Sequence, residues 1–416
     1  MTMTNDPATG VLVRPQPVGV FPLPAGYLVI PDGHDDVRAS LVEGKLPAEW
    51  PDELRFYAIA LDGDPVAAAA ALTGDDLVAR ANRLVLEPSR TSYEALAADA
   101  AAAGDAAFVV HVDTIAFALG LRPAPPDPSD TDGEFSAMAA AAHATAALER
   151  GDTAAAIEHL EAAAQSAHDT SVPLAGQLMG QLANTQLDEG GVQRASVTFQ
   201  AALDAMAGTD LHLTSAELHV AAGAMYQEMS EAAPRLMQQA INHYHQALAL
   251  VRRDDAPETW AIANANLGLA YLMMPMQEAS DLLRTGVAVQ SMRDALTHFT
   301  PETHPDRWSS TQLNLANALV YMPSKHQADN IAEAVELYEA VLEHRSRGSD
   351  PQGRARVLAN QGNALAHLGM FDQAKARLHE ARAIFEEFGE DEAVRSVRGV
   401  LDEIAKQESL VRQDRP

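Results

Sequence analysis

Pro257-Glu258-Thr259-Trp260 leads into Asn266-Leu267-Gly268-Leu269-Ala270-Tyr271. Pro305-Asp306-Arg307-Trp308 leads into Asn314-Leu315-Ala316-Asn317-Ala318-Leu319 in the same register 48 positions later. Self-similarity at a fixed spacing of this order marks stacked helical repeats, in which each unit buries its apolar face only against its neighbours. Such an array is a binding surface first and an enzyme rarely.

The pattern continues on both sides of this pair. Downstream, Leu358 to Leu365 begins a helix, Gly369 marks a turn, and Ala374, Leu378 and Ala381 follow on a second helix. Upstream, Gly223 and Tyr226 precede Ala240, Tyr244 and Ala247; Gly190 precedes Ala195, Phe199 and Ala202; Gly151 precedes Ala156, Leu160 and Ala163. Small residues let two antiparallel helices approach closely, and the large apolar residue between them fills the gap to the next pair. Six such units place between Phe135 and Phe388. Units three to five exceed the common length of about 34 residues. Their extra length falls around Met229–Leu236, Met274–Thr285 and Met322–Asn330.

A small residue on the first helix, a glycine turn, then Ala, a large apolar residue and Ala on the second: this pattern resembles the tetratricopeptide (TPR) repeat. The Pro-x-x-Trp lead-in and the segment Ala328 to Tyr338 make 255–390 similar to the long-period TPR arrays of bacterial signalling and scaffold proteins. Some of those carry a caspase-like CHAT protease domain, whose cysteine nucleophile this chain cannot supply because it has no cysteine. Unit four departs from the pattern in having no clear glycine turn, and unit three in lacking the Trp. The resemblance implies an all-α fold, a right-handed α-α superhelix in which the first helix of each unit lines a concave groove.

By motif position, Ile262, Ala265, Leu269, Leu272 and Met273 face that groove in unit four. Ser310, Leu313, Asn317, Val320 and Tyr321 do so in unit five, and Arg356, Ala359, Asn363, Ala366 and His367 in unit six. Asn266, Asn314 and Asn360 recur at one motif position, and Asn184, Asn317 and Asn363 at another. An Asn amide can pair with both the N–H and the C=O of a bound peptide, and it serves equally to bond one repeat to the next. The expected peptide-binding set is Asn266, Leu269, Met273, Leu313, Asn314, Asn317, Tyr321, Arg356, Asn360, Asn363 and His367. Arg356 is the only basic residue among the groove positions, so a two-carboxylate clamp is not expected. Trp260 and Trp308 are expected to pack at the start of their helix pairs.

Composition sets limits around this reading. Without cysteine there is no disulfide and no thiolate zinc site. The net charge of −29 opposes nucleic acid or an anionic membrane as the main partner. It keeps the chain in solution, and it complements a basic protein. Met1 to Asp6 lacks the features of a signal peptide, and no apolar run nears the 18 or so residues of a membrane span, so the expected location is cytoplasmic.

Other motifs reduce to structure. His243 and His245 lie about 200° apart on a helix and cannot share a metal, while Tyr244 is a core position. Asp32-Gly33-His34-Asp35-Asp36 lacks the alternating carboxylates of a calcium loop and reads as a helix cap by Asp35 or Asp36. His111-Val112-Asp113 has no nucleophile beside it. The methionines of the middle region, including Met225, Met237, Met273, Met276, Met292 and Met322, read as core filling. No cofactor or metal is expected.

The organisation that follows is a Pro-rich extended segment at 1–34, an Ala-rich helical region at 35–122, and a Pro-rich linker at 123–134. Six repeats then cover 135–390, before a capping helix at 391–407 and a tail at 408–416. Within 35–122, helices are expected at about 35–43, 51–61, 65–72, 75–86, 91–103 and 105–119. Gly63-Asp64, Gly74-Asp75 and Gly104-Asp105 should each end one helix and cap the next. The region is a cap, a run of degenerate repeats or a separate domain. The favoured function is a non-enzymatic scaffold or adaptor that binds a protein or peptide segment. The alternative is a regulatory or assembly factor whose N-terminal region carries a separate activity. Self-association through the Ala-rich first units is a third reading.

Overall fold

The computed structural model describes residues 21, 25–274, 281–321, 325–344 and 350–413. The residues outside these ranges include Pro15, Pro17, Pro22, Pro24, Met276 and Met322 and parts of the insertions in units four and five. The described chain is all-α, with nineteen α-helices packed mostly pairwise, and it divides into two compact units, Met1–Met225 and Tyr226–Pro416. No described helix is long and apolar enough to cross a membrane.

In the first unit, six helices come first: α1 (Asp35–Val42), α2 (Arg55–Leu61), α3 (Pro65–Ala71), α4 (Leu77–Leu86), α5 (Arg90–Ala103) and α6 (Ala106–Ala118). Their punctuation is mostly the expected one. Asp64 and Asp105 cap α3 and α6 by accepting from the amides of Ala67 and Phe108, at 2.9 and 3.0 Å. Gly104 ends α5 at φ +77°, a left-handed conformation that a side chain would strain. The third junction differs by one residue. Asp76 rather than Asp75 caps α4, accepting from Ala79 N at 2.9 Å, while Asp75 faces solvent beside Arg83. The capping carboxylate must lie three residues before the amide it accepts from, and a doublet of Asp leaves that register open. Asp35 and Asp36 also correct an expectation: they occupy the first turn of α1, with His34 at the cap position and no side-chain cap bond. There they still act favourably on the positive end of the helix.

Where an extended segment is expected, the described residues before α1 form a 3-10 turn, Ala25–Tyr27, and a short irregular stretch. Asn82 of α4, fully buried, holds Val29 by both backbone groups: Val29 N–H donates to Oδ1 at 2.8 Å, and Nδ2 donates to the Val29 carbonyl at 2.9 Å. Two helix pairs then follow, α7 (Gly133–Glu149) with α8 (Thr153–His168) and α9 (Val172–Asp188) with α10 (Val192–Ala205). The N-terminal helices are bonded to these pairs. Ser171 Oγ donates to Val42 O at 2.7 Å, Asp210 N–H donates to Gly44 O at 2.9 Å, and Leu46 N–H donates to Asp210 Oδ2 at 2.9 Å. His111 of α6 lies buried against Phe135 of α7, its ring stacked at 4.5 Å, while Asp113 pairs with Arg122 and accepts from Tyr93. The two residues of this motif therefore serve different contacts.

Helix α11 (His212–Met229) begins in the first unit, and its last turn belongs to the second. The second unit continues with α12 (Met237–Leu250), α13 (Pro257–Met273), α14 (Asp281–Leu296), α15 (Pro305–Tyr321), α16 (Gln327–His344), α17 (Pro351–His367), α18 (Phe371–Glu387) and α19 (Asp391–Gln413). Tyr244 OH donates to Gln227 Oε1 at 2.9 Å, and His243 and His245 turn away from each other, one stacked on Tyr226 and the other bonded to Tyr271 OH at 2.7 Å.

One packing device recurs through both units. The second helix of each pair buries a large residue between two smaller ones, both Ala except for Val341: Ala156, Leu160, Ala163; Ala195, Phe199, Ala202; Ala240, Tyr244, Ala247; Ala288, Met292, Ala295; Ala334, Tyr338, Val341; Ala374, Leu378, Ala381. Spacings of four and three residues put the three on one face. The partner helix approaches this face through glycine. A Cβ on Gly176, Gly268 or Gly362 would meet the Ala202, Ala288 or Ala374 carbonyl at 3.1, 2.9 or 3.2 Å. Trp308 is 8% exposed with its ring edge-on to His344, and Trp260 packs on the same core from the start of α13. Met225, Met237 and Met292 are buried, whereas Met273 is 45% exposed. The terminal helix buries Val394, Val397 and Ile404. It continues past Gln407 to Gln413, with Glu408 held by Lys375 at 2.7 Å.

Candidate functional site

The second unit brings α15 and α17 side by side, and a row of polar side chains sets their register. Asn317 Oδ1 accepts from Tyr338 OH at 2.6 Å and from Asn360 Nδ2 at 3.1 Å. One turn along, Asn363 Nδ2 donates to Tyr321 OH at 3.1 Å. The Asn360–Asn317 and Asn363–Tyr321 bonds therefore join repeat to repeat. Tyr338 is 1% exposed, and burial raises its phenol pKa, so the hydroxyl stays a donor. A buried hydroxyl needs that acceptor.

Beside this row lies an open depression of about 410 Å³, walled by Ser310, Leu313, Asn314 and Asn317 from α15 and by Gln352, Arg356, Val357 and Asn360 from α17. Asp350 closes one end and caps α17, accepting from Gly353 N at 2.8 Å. Arg356 is the cation of the site. Its nearest carboxylate is Glu390 at 3.7 Å, and its side chain is 70% exposed. Glu390 is otherwise engaged by Gln352 at 2.9 Å.

A second depression, of about 190 Å³, adjoins the first, because Asn317 lines both. Its other walls are mainly apolar or aromatic: Tyr271, Leu272, Met274, Ala318 and Tyr321, with Thr285. Tyr321 is 63% exposed. A third depression, of about 300 Å³, lies between α17 and α19 and includes Asn363 and His367.

The expected residues are thus distributed over several places. Leu313, Asn314, Asn317, Arg356 and Asn360 gather round one depression, Tyr321 lines the next, and Asn363 and His367 line the third. Asn266 and Leu269 of α13 are half-buried and line none of the three; Leu269 packs on the core. Met273 lies at the end of α13, where Gln227 Nε2 approaches its sulfur at 3.6 Å. Val320, placed on the groove by motif position, is buried in the core instead. Tyr271 and Met274 were not expected at the site. Their only sequence signal is their place at the end of α13, Tyr271 in its last turn and Met274 just past it, with Tyr271 one repeat before Leu319. Among the described residues no group of three or more His, Asp or Glu is arranged to hold a metal ion.

No protein-family model and no curated protein matches the chain. Its structural neighbours include TPR proteins. A tetratricopeptide repeat protein from Parabacteroides merdae is 17% identical over 62% of this chain and 94% of that one, with a TM-score of 0.31. The TPR domain of P58(IPK) is 14% identical over 87% of this chain and 98% of that one, with a TM-score of 0.29. A Rap protein in complex with competence and sporulation factor is 13% identical over 80% of this chain and 98% of that one, with a TM-score of 0.42.

Proposed function

We propose that this protein is a non-enzymatic scaffold or adaptor whose second unit binds a protein or peptide segment along α15 and α17. The observation that carries the reading is the depression beside Asn317. It is open, its walls combine amides with apolar surface, and it presents a single exposed guanidinium. Open polar-apolar clefts on helical arrays suit a segment of chain better than a small substrate, which needs enclosure. The chemistry of such a contact already occurs once in the molecule, where Asn82 holds both backbone groups of Val29. Asn314 lines the depression with the same amide. The large negative charge favours a partner that is basic outside the contact.

The test compares full-length protein with an Asn314→Arg variant in affinity capture from the native lysate. Asn314 is chosen because Asn317 and Asn363 are needed between repeats. A protein retained by the first and lost by the second, with both melting within a few degrees, supports the groove. Capture of the same proteins by both refutes it.

A further inference from the structure

We infer, resting on the groove proposed above, that its occupant is held by one uncharged anchor. This is a side chain of Leu, Met or Phe size from a partner protein, seated in the depression between α13 and α15. The anchor site is built on two tyrosines from successive repeats. Tyr271 in the last turn of α13 and Tyr321 at the end of α15 line the same depression, together with Leu272, Met274 and Ala318. Each ring is pinned by its hydroxyl. Tyr271 OH shares a 2.7 Å hydrogen bond with His245 Nε2, and Tyr321 OH accepts from Asn363 Nδ2 at 3.1 Å. Tyr321 is nevertheless 63% exposed. A ring already held in one place loses little conformational freedom when a partner covers it, so its burial is retained as affinity. Asn317 lines both this depression and the polar one beside it, so an anchor seated here belongs to the segment that the groove holds.

Size limits the anchor to one residue. The depression measures about 190 Å³. A cavity of about 150 Å³ lined by apolar side chains holds a benzene ring, so there is room for one large side chain and not for two.

Charge decides its chemistry. Aromatic walls on a chain of net charge −29 suggest at first a cationic guest, with Lys or Arg lying over the ring faces. The local charges oppose it. Among the described residues no carboxylate lines the depression. Arg284 instead brings a positive charge to its edge, where the guanidinium donates to the Met274 carbonyl at 3.4 Å. That charge reaches the Tyr271 phenol: burial raises the phenol pKa, and Arg284 pulls it back by a smaller amount. A lysine or arginine seated there would face this cation without a counter-ion, because salt screens the carboxylates elsewhere on the chain beyond about 8 Å. An apolar side chain meets no such repulsion and gains by leaving water.

The test is selection of a random 12-residue peptide library, displayed on phage, against the full-length protein and its Tyr321→Ala, Tyr321→Phe, Arg284→Gln and Asn314→Arg variants. All variants are first checked for unchanged melting. On the wild type, the expected result is enrichment of Leu, Met or Phe at one shared position, with Lys and Arg depleted there. Changing that residue to Ala in a selected peptide should weaken binding to the wild-type protein about 30-fold or more, as for a buried interface anchor. This measurement stands even if a variant melts early. Tyr321→Ala should weaken the selected peptides by a similar factor, and Tyr321→Phe, which keeps the ring, should weaken them less. Arg284→Gln should lift the depletion of Lys and Arg. Enrichment of Lys or Arg at the shared position on the wild type would overturn the inference. So would an anchor whose change to Ala costs less than about threefold, or peptides bound equally by wild type and Tyr321→Ala. In each of these cases, loss of the peptides on Asn314→Arg leaves the groove standing. If no peptide is enriched on the wild type, or if Asn314→Arg binds the selected peptides as the wild type does, both the inference and the groove reading fail.

Discussion

Gly268 should resist even the smallest substitution, although it sits in a helix where alanine is normally the better residue. A Cβ built there lies 2.8 Å from Met292 Cγ, 2.9 Å from the Ala288 carbonyl oxygen and 3.2 Å from Met292 Cε. Comfortable carbon contacts lie near 3.5 Å or beyond. The methionine can swing aside, but the carbonyl belongs to the backbone of α14, so α13 and α14 must part by roughly half an ångström. Overpacking of this kind costs about 1–3 kcal/mol. Against it stands the helix preference for Ala over Gly, about 1 kcal/mol. The difference leaves Gly268→Ala destabilised by about 1 kcal/mol, or about 2–4 °C for a unit of this size.

Gly286 supplies the control. It lies in α14, exposed, and a Cβ there meets nothing within 4 Å. Gly286→Ala should therefore stabilise by about 0.5–1 kcal/mol, the propensity term alone. Urea unfolding followed by tryptophan fluorescence reads both variants. Trp260 and Trp308 report on the second unit, and a Trp50→Phe background removes the third tryptophan. Opposite signs are expected. If Gly268→Ala unfolds at the same urea concentration as Gly286→Ala or higher, the close approach of paired helices through glycine is wrong.

Asn317→Ala removes the acceptor of the buried Tyr338 hydroxyl and of Asn360, and should cost about 1–3 kcal/mol; a combined Asn317→Ala, Tyr338→Phe variant should recover part of the loss in the same unfolding assay. His111 is buried, and burial pushes its pKa down to about 4 from 6.5 against the smaller upward pull of the Tyr27 backbone. The unfolded chain therefore binds its proton first as pH falls, so stability drops between about pH 6.5 and 4, by about 2 kcal/mol at pH 5. Burial raises the pKa of nearby Glu134, which works in the opposite sense, so melting at pH 7 and pH 5 is compared between wild type and His111→Leu; the variant should lose less. Ile404→Ala should cost about 2–5 kcal/mol by opening the contact of α19 with the last pair, seen as earlier protease cleavage near the C-terminus.

The repeat was legible because its packing residues obey helical spacing. Ala374, Leu378 and Ala381 or Ala195, Phe199 and Ala202 can be read directly, and all are buried. Unit four was harder. Its triplet is Ala288, Met292 and Ala295, with methionine in the large position, and no glycine turn announces it. The helices of 35–122 were readable from their Gly-Asp punctuation, but a doublet such as Asp75-Asp76 hides which carboxylate lies three residues before the amide it caps. The extension of α19 to Gln413 comes with the Lys375–Glu408 contact, which joins residues 33 apart and leaves no local trace.

The Asn positions show where sequence reading divides. The residue type recurs because the motif repeats, but an amide has two uses, and only the neighbouring chain decides between them. Asn317 meets Tyr338 and Asn360, and Asn363 meets Tyr321, so these residues hold repeats in register. Asn314, one turn before Asn317, lies on the wall of the depression and bonds to no side chain among the described residues. The division has a consequence for specificity. Residues that fix the register cannot vary without a cost in stability, so in the proposed function discrimination between partners rests on neighbours with no structural bond to keep. In the proposed groove those are Asn314, and Arg356, whose single long ion pair is worth little. Substitutions there should change what is bound before they change how stably the array folds.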